Sequence, residues 1–267
     1  MKQETDAAQI RKQRKRIGPG VLCAAVLLCA LSAVYVCRVR TAEVVARTRE
    51  LPVYSVDRDD GKIAISFDAA WGGDKTLKIL DTLDAYNVKT TFFLVDIWTQ
   101  KYPELVREIV ARGHEIGNHS ATHPQMSKLS AAQIEKELRV MSDRAEEITG
   151  IRPTLFRPPY GDYDNEVVLT ARANGYEVIQ WSVDSLDWKN KGAEDLIRRA
   201  TKNVSSGDII LFHNDSEFIA DALPAVLQSY QEQGLTVVPV SQLLLKGETT
   251  LDVQGRQHAA PANVPEV

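Results

Sequence analysis

No cysteine occurs after Cys37: the three in the chain, Cys23, Cys29 and Cys37, all fall near the N-terminus. The rest of the chain therefore has no disulfide to hold it together. None of the three follows the small residue that a lipoprotein signal shows. Basic charge is also scarce, with 32 Lys and Arg against 36 Asp and Glu. Residues 1–37 take six of the basic and two of the acidic groups, leaving 26 against 34 beyond them, a net of −8. A nucleic-acid partner needs a basic face, so that class is excluded. A neutral or amine-bearing polymer suits this charge better. Histidine is rare, five in 267 residues, so any cluster of it carries information. Low-complexity runs are absent from the middle of the chain. At 44% hydrophobic and 25% charged residues, the composition is that of a globular protein.

Only one long uncharged run exists, 17–37. It is long enough to cross a bilayer as one helix. Lys2, Arg11, Lys12, Arg14, Lys15 and Arg16 precede it, which keeps 1–16 in the cytoplasm and places the rest outside the cell membrane. A cleaved signal peptide, and hence secretion, is the alternative. Ala30, Ser32 and Ala33 offer small residues, yet the apolar run continues through Val34, Tyr35 and Val36, so an uncleaved single-pass anchor is expected. Residues 38–60 read as a polar linker, 61–246 as one domain, and 247–267, with Pro261 and Pro265, as a disordered tail. Roughly 200 residues suffice for one α/β domain and its core.

Within that domain strands and helices alternate. Apolar strands are expected at 62–67, 88–95, 154–156, 176–183, 208–212 and 236–240. Helical spacing falls at 74–86, 102–112, 165–174, 193–204 and 219–233, and a long helix opens on the capping box Ser130 to Gln133 and stops at Gly150. Such alternation implies parallel β-α units. Six or seven repeats favour a barrel, complete or not, over an open sheet. Chemistry in such barrels sits at the C-terminal strand ends; Asp68, Arg157, Asp184 and His213 each lie just after an expected strand, and His119 just after the short segment Glu115-Ile116-Gly117 that leads into it.

The residue types there suit metal-assisted hydrolysis, which needs ligands, a base, an acid and an oxyanion donor. His119 and His123, four residues apart, are the ligand candidates; a pair of structural histidines is the alternative. Ser120 either orients a ligand ring or caps the turn. Asp68 ends an otherwise apolar strand, where a carboxylate is costly unless paired or working. It reads as the general base, or as a helix N-cap. In Arg157-Pro158-Pro159-Tyr160-Gly161 the arginine fork can clamp a carboxylate such as Asp68, and the Tyr160 N–H can face an oxyanion; a plain structural turn is the other reading. Asp184 and Asp187 offer carboxylates to hold His213 protonated as general acid; a buried structural histidine is the other reading. Trp188 would wall the pocket and Leu211 floor it.

In order, Ser66-Phe67-Asp68, His119-Ser120-Ala121-Thr122-His123, the Arg157–Gly161 loop, Asp184-Ser185-Leu186-Asp187-Trp188 and Leu211-Phe212-His213 resemble the five motifs of the polysaccharide deacetylases of carbohydrate esterase family 4, the NodB-homology domain. The resemblance spans roughly 60–245. It implies a distorted (β/α) barrel of about seven parallel strands, a divalent metal (zinc, or cobalt), and removal of acetyl groups from an N-acetylated glycan polymer. It also implies Asp68 as base, braced by Arg157, His119 and His123 as ligands, and His213 as acid, oriented by Asp187. The family's first motif usually carries two adjacent aspartates, the second being the third metal ligand. Here that position is Ala69. Asp74 is the candidate replacement, if the Gly72-Gly73 hinge turns the loop back, and it equally suits the N-cap of the next helix. The Phe-Asp-Ala-Ala-Trp-Gly form is similar to a branch of spore-forming Gram-positive bacteria linked to cell-wall and spore peptidoglycan. A glycan-binding or scaffolding protein with a decayed site is the alternative function.

Overall fold

The computed structural model describes residues 28–32, 35 and 49–261. The chain divides into two units, Met1–Arg49 and Glu50–Val267. Among the described residues no helix is long and apolar enough to cross a membrane. Most of the expected anchor, 17–37, lies outside the described residues, as does 38–48 of the expected linker.

The second unit is built on one parallel sheet. Its strands are β2 (Lys62–Ala69), β3 (Thr91–Leu94), β4 (Glu115–Asn118), β5 (Leu155–Phe156), β6 (Glu177–Val178), β7 (Val183–Asp184) and β8 (Ile209–His213), arranged β6-β5-β4-β3-β2-β8-β7, with β9 (Thr236–Val237) pairing with the start of β2. This is chain order read around a ring, as in a (β/α) barrel, but the ring is open. No ladder joins β6 to β7, although they are consecutive. The strand expected over 176–183 is therefore two short ones, because the chain crosses there from one edge of the sheet to the other.

A segment outside the expected domain fills this gap. The Val53 N–H donates to Val178 O and the Gln180 N–H to Val53 O, both at 2.8 Å. Strand β1 (Ser55–Val56) follows, and the Val56 N–H donates to Gly207 O at 2.8 Å. Gly207 (φ +88°) has no alternative, since a Cβ there would lie 1.8 Å from the Val56 oxygen. Beside β1 lies β11 (Arg256–Ala259), paired parallel to it and antiparallel to β10 (Thr249–Leu251). Two sequence expectations are corrected here. The linker is packed structure from residue 50, with Val53 and Val56 buried, and the tail expected to be disordered is a hairpin over 249–259. Period-2 runs this short carry little signal.

Helices α1 (Thr76–Ala85), α2 (Asp96–Lys101), α3 (Pro103–Ala111), α4 (Ala131–Thr149), α5 (Asn165–Ala173), α6 (Ala193–Thr201), α7 (Ile219–Glu232) and α8 (Val240–Leu243) complete the unit. The capping box at Ser130 and Gln133 is formed, and α4 ends at Gly150 in the left-handed conformation. The main core lies between sheet and helices. In its centre Phe67 stacks on Phe92 (5.0 Å) and Phe212 (5.6 Å), its register partners on both sides. Successive strand residues point to opposite faces. The register that turns three phenylalanines toward the helices therefore turns their successors, Asp68, Phe93 and His213, inward. Asp68 pairs in register with both.

Candidate active site

Asp68 lies within β2, one residue before its end, and is buried. Arg157, just after β5, is 0% exposed, and its Nη1 donates to Asp68 Oδ1 at 2.8 Å. Nη2 donates to Gln180 O at 3.2 Å, and the guanidinium carbon sits 4.1 Å from the Phe93 ring centroid. Burial by itself raises the Asp68 pKa, but the charges of Arg157, His119 and His213 outweigh it and hold the carboxyl below the ordinary value. Asp68 is thus an ionised acceptor, not an N-cap.

His119 follows β4. Its Nδ1 lies 2.7 Å from Arg157 O. A carbonyl only accepts, so Nδ1 carries the proton and Nε2 presents a lone pair, 3.4 Å from Asp68 Oδ2. The next four residues form a tight loop with Ser120 at φ 71° and His123 at φ 58°. The Ser120 N–H donates to Asn118 Oδ1 (2.8 Å), the His123 N–H donates to Ser120 Oγ (3.0 Å), and the Glu137 carboxylate accepts from the Ala121 and Thr122 N–H groups. Ser120 therefore caps the turn. The loop brings the His119 and His123 rings to 5.0 Å. Burial lowers the pKa of both, that of His123 to about 4, and His123 Nδ1 is buried with no hydrogen-bond partner. Two neutral imidazoles and a carboxylate line the same cavity.

Across the cavity, His213 Nδ1 lies 2.7 Å from Asp187 Oδ1, while the His213 backbone N–H donates to Asp187 Oδ2 at 2.7 Å. Asp187 is fixed in turn by the Trp188 N–H, 2.9 Å from Oδ1. Burial opposes the charged ring. The Asp187 hydrogen bond and the carboxylates of Asp187, Asp68 and Asp184 prevail, and the His213 pKa is raised. The surroundings thus favour the charged form of this imidazole.

These groups open on one cavity of about 610 Å³, lined also by Leu211, Tyr160, Trp188 and Asp184, within the range of small-ligand sites. Asp74 is not part of it. It is exposed on the turn before α1, and the expected hinge is pinned: Gly72 O accepts from Trp98 Nε1 (2.9 Å) and Asn214 Nδ2 (2.7 Å). Nor does Asp74 cap the helix, whose N-cap is Lys75. Ala69 is fully buried in the core cluster that holds Phe67 and Leu94. Among the described residues no group of three His, Cys, Asp or Glu is placed to hold a metal. The orphaned His123 Nδ1 and the free His119 lone pair fit two ligand positions, but catalytic zinc ordinarily takes three protein ligands. The donor set is one short. Other cavity residues escaped the sequence reading: Trp71, Trp181, Asn190, Asp215 and Ser216. Only Trp71, beside the first motif, had a local signal.

The family model described as polysaccharide deacetylase matches residues 55–179. A peptidoglycan-N-acetylglucosamine deacetylase of Bacillus cereus is 36% identical over 196 residues, covering 72% of this chain and 92% of that protein. The chain belongs to the polysaccharide deacetylase family. Another relative within it, the peptidoglycan-N-acetylmuramic acid deacetylase PdaC of Bacillus subtilis, is 35% identical over 71% of this chain. The chain spans 40% of PdaC and 60% of the uncharacterised YlxY of the same species. Among solved structures, a family 4 pseudoenzyme from Bacillus anthracis superposes with a TM-score of 0.70 at 31% identity, covering 72% of this chain and 68% of that one. A mutant of it with restored enzymatic activity gives a TM-score of 0.70 at 32% identity, with 72% and 71% covered.

Proposed function

We propose that this polysaccharide deacetylase removes N-acetyl groups from peptidoglycan or another N-acetylglucosamine polymer, on the outer side of the cell membrane, with 17–37 as its anchor. One observation carries the reading. An ionised carboxylate braced by buried Arg157 and an imidazole whose charged form Asp187 favours meet on the same cavity.

The route uses the chain's own groups. A water donating to Asp68 Oδ2 and His119 Nε2 is held by both its protons. Asp68 takes one proton as the water oxygen attacks the acetamide carbonyl carbon. The developing oxyanion meets the Tyr160 N–H, which the turn leaves free because its own hydrogen bonds come from Gly161 and Asp162. As the C–N bond breaks, His213 Nε2 protonates the departing sugar amine, giving acetate and a free amine. Leu211 floors the acetyl group and Trp188 walls the sugar. A divalent metal, zinc or cobalt, would be held by His119 and His123 and would supply added positive charge at the oxyanion, though the donor set is one short.

Acetate release from N-acetylglucosamine oligomers and from peptidoglycan, with and without added zinc or cobalt, tests this. Wild type should release acetate, and Asp68→Asn should slow release by at least about 10². No release by wild type, or full release by Asp68→Asn, sinks the idea. A second reading is favoured by Ala69 at the usual ligand position and by the pseudoenzyme relative: a glycan-binding or scaffolding protein on this fold. Glycan binding without metal and without turnover supports that alternative.

A further inference from the structure

Three aromatic rings stand out on the surface of residues 49–261: Trp71 (62% exposed), Tyr160 (65%) and Trp188 (55%). All three line the one cavity, although they come from loops after β2, β5 and β7. Tyr160 and Trp188 belong to motifs already given roles. Trp71 does not. Exposed aromatic surface left in water is unfavourable unless a ligand covers it, and its confinement to one rim says where that ligand lies.

The backbone under Trp71 is fixed. Beyond the two hydrogen bonds on Gly72 O, Gly72 presses against Asp215 so closely that a Cβ would lie 2.1 Å from its Oδ1. Lys75 holds Asp215 from the other side, its Nζ donating to Asp215 O at 3.2 Å. On its inner side Trp71 meets the His123 ring edge-on, with centroids 5.9 Å apart, and His123 meets Tyr160 at 4.4 Å. A continuous row of rings thus runs from His119 at the floor to Trp71 at the rim. Trp71 touches His123 and stands one ring further than it from His119 in this row. The charged groups lining the cavity are carboxylates and histidines, with no Lys or Arg among them. A flat apolar face beside hydrogen-bond acceptors, with no Lys or Arg, suits a neutral pyranose, whose C–H face stacks on a ring while its hydroxyls donate to carboxylates.

We propose that Trp71 is the stacking platform for a sugar flanking the one whose acetamide is hydrolysed, so that it makes the site selective for a polymer over a monosaccharide. This rests on the glycan reading above. A rigid platform loses little freedom on binding, so its contribution falls on affinity for longer chains.

The test uses the full-length chain and N-acetylglucosamine oligomers of one to six units, comparing wild type, Trp71→Ala and Trp71→Phe for acetate release and, by calorimetry, for binding. Thermal melts check that each variant is folded, and the Phe variant keeps a ring if Ala disturbs the loop. The expected result is a KM for the longer oligomers raised about tenfold in Trp71→Ala, with kcat changed less than about twofold, partial recovery in Trp71→Phe, and a weaker dependence on chain length. An unchanged KM, or an equal loss at every length, overturns the proposal while leaving the deacetylase reading intact. If wild type releases no acetate but Trp71→Ala still weakens oligomer binding, the deacetylase reading falls and the platform stands. Failure of wild type to bind any oligomer overturns the platform too.

Discussion

Asp68 and His213 are register partners, residues of adjoining strands β2 and β8 paired across one rung of the parallel sheet. The proposed base and acid are thus set by backbone hydrogen bonds, and each is then tuned by a partner from another element. Arg157 lowers the pKa of one, and Asp187 raises that of the other.

Removing the first partner should hurt both stability and activity. Arg157→Met leaves a buried carboxylate without its counter-charge, a change of about 3–5 kcal/mol. Urea unfolding should show that loss. The Asp68 pKa should rise, moving the acid limb of acetate release toward neutral pH; an unmoved limb would show that Arg157 does not brace the base.

The second partner governs the alkaline limb. His213 must be protonated to donate, so activity falls as pH rises through its raised pKa, whereas Asp68 must be ionised, so activity falls as pH drops through its lowered one. Asp187→Asn removes what raises the His213 pKa. The alkaline limb should shift to lower pH and kcat should fall about 10²–10⁴-fold. A pH–rate profile of this variant checks both.

Two imidazoles hold a divalent metal weakly. Dialysed protein should carry well under one equivalent of zinc by elemental analysis, and His119→Gln should reduce even zinc-loaded samples further. One full equivalent after dialysis would overturn the reading of a two-imidazole site.

The C-terminal hairpin carries a pH-sensitive clasp. His258 Nδ1 lies 3.0 Å from Asp57 Oδ2, and its Nε2 lies 3.3 Å from Asp252 Oδ2; Arg256 Nη2 also reaches Asp57 Oδ1, at 3.0 Å. Those side-chain hydrogen bonds raise the His258 pKa. A raised folded-state value means its contribution is fully present below the unfolded pKa of about 6.5 and is lost as pH rises through the folded value. Asp57 and Asp252, both lowered, lose theirs as pH falls through the carboxylate range. The difference in urea midpoint between wild type and His258→Gln should be largest near pH ~5–6 and vanish in alkali. A difference that persists at alkaline pH would rule the clasp out.

What sequence alone determined is what neighbouring residues encode. The alternation of strand and helix, the capping box at Ser130, the stop at Gly150 and the motif residues at strand ends all depend on local period and local turn chemistry, and they sufficed for fold class and for most of the candidate site. Tertiary structure decided the rest. Asp74 looked available because nothing local reveals that Trp98 and Asn214 pin Gly72. Val53–Val56 and the 249–259 hairpin looked like linker and tail because each is too short to show a period; only in the fold does the first segment fill the gap after β6 and the hairpin pair with β1. Register between distant strands set Asp68 beside His213, and the packing of Asp215 against Gly72 fixed the loop that carries Trp71. Such relations join residues far apart in the chain, so no window of sequence contains them.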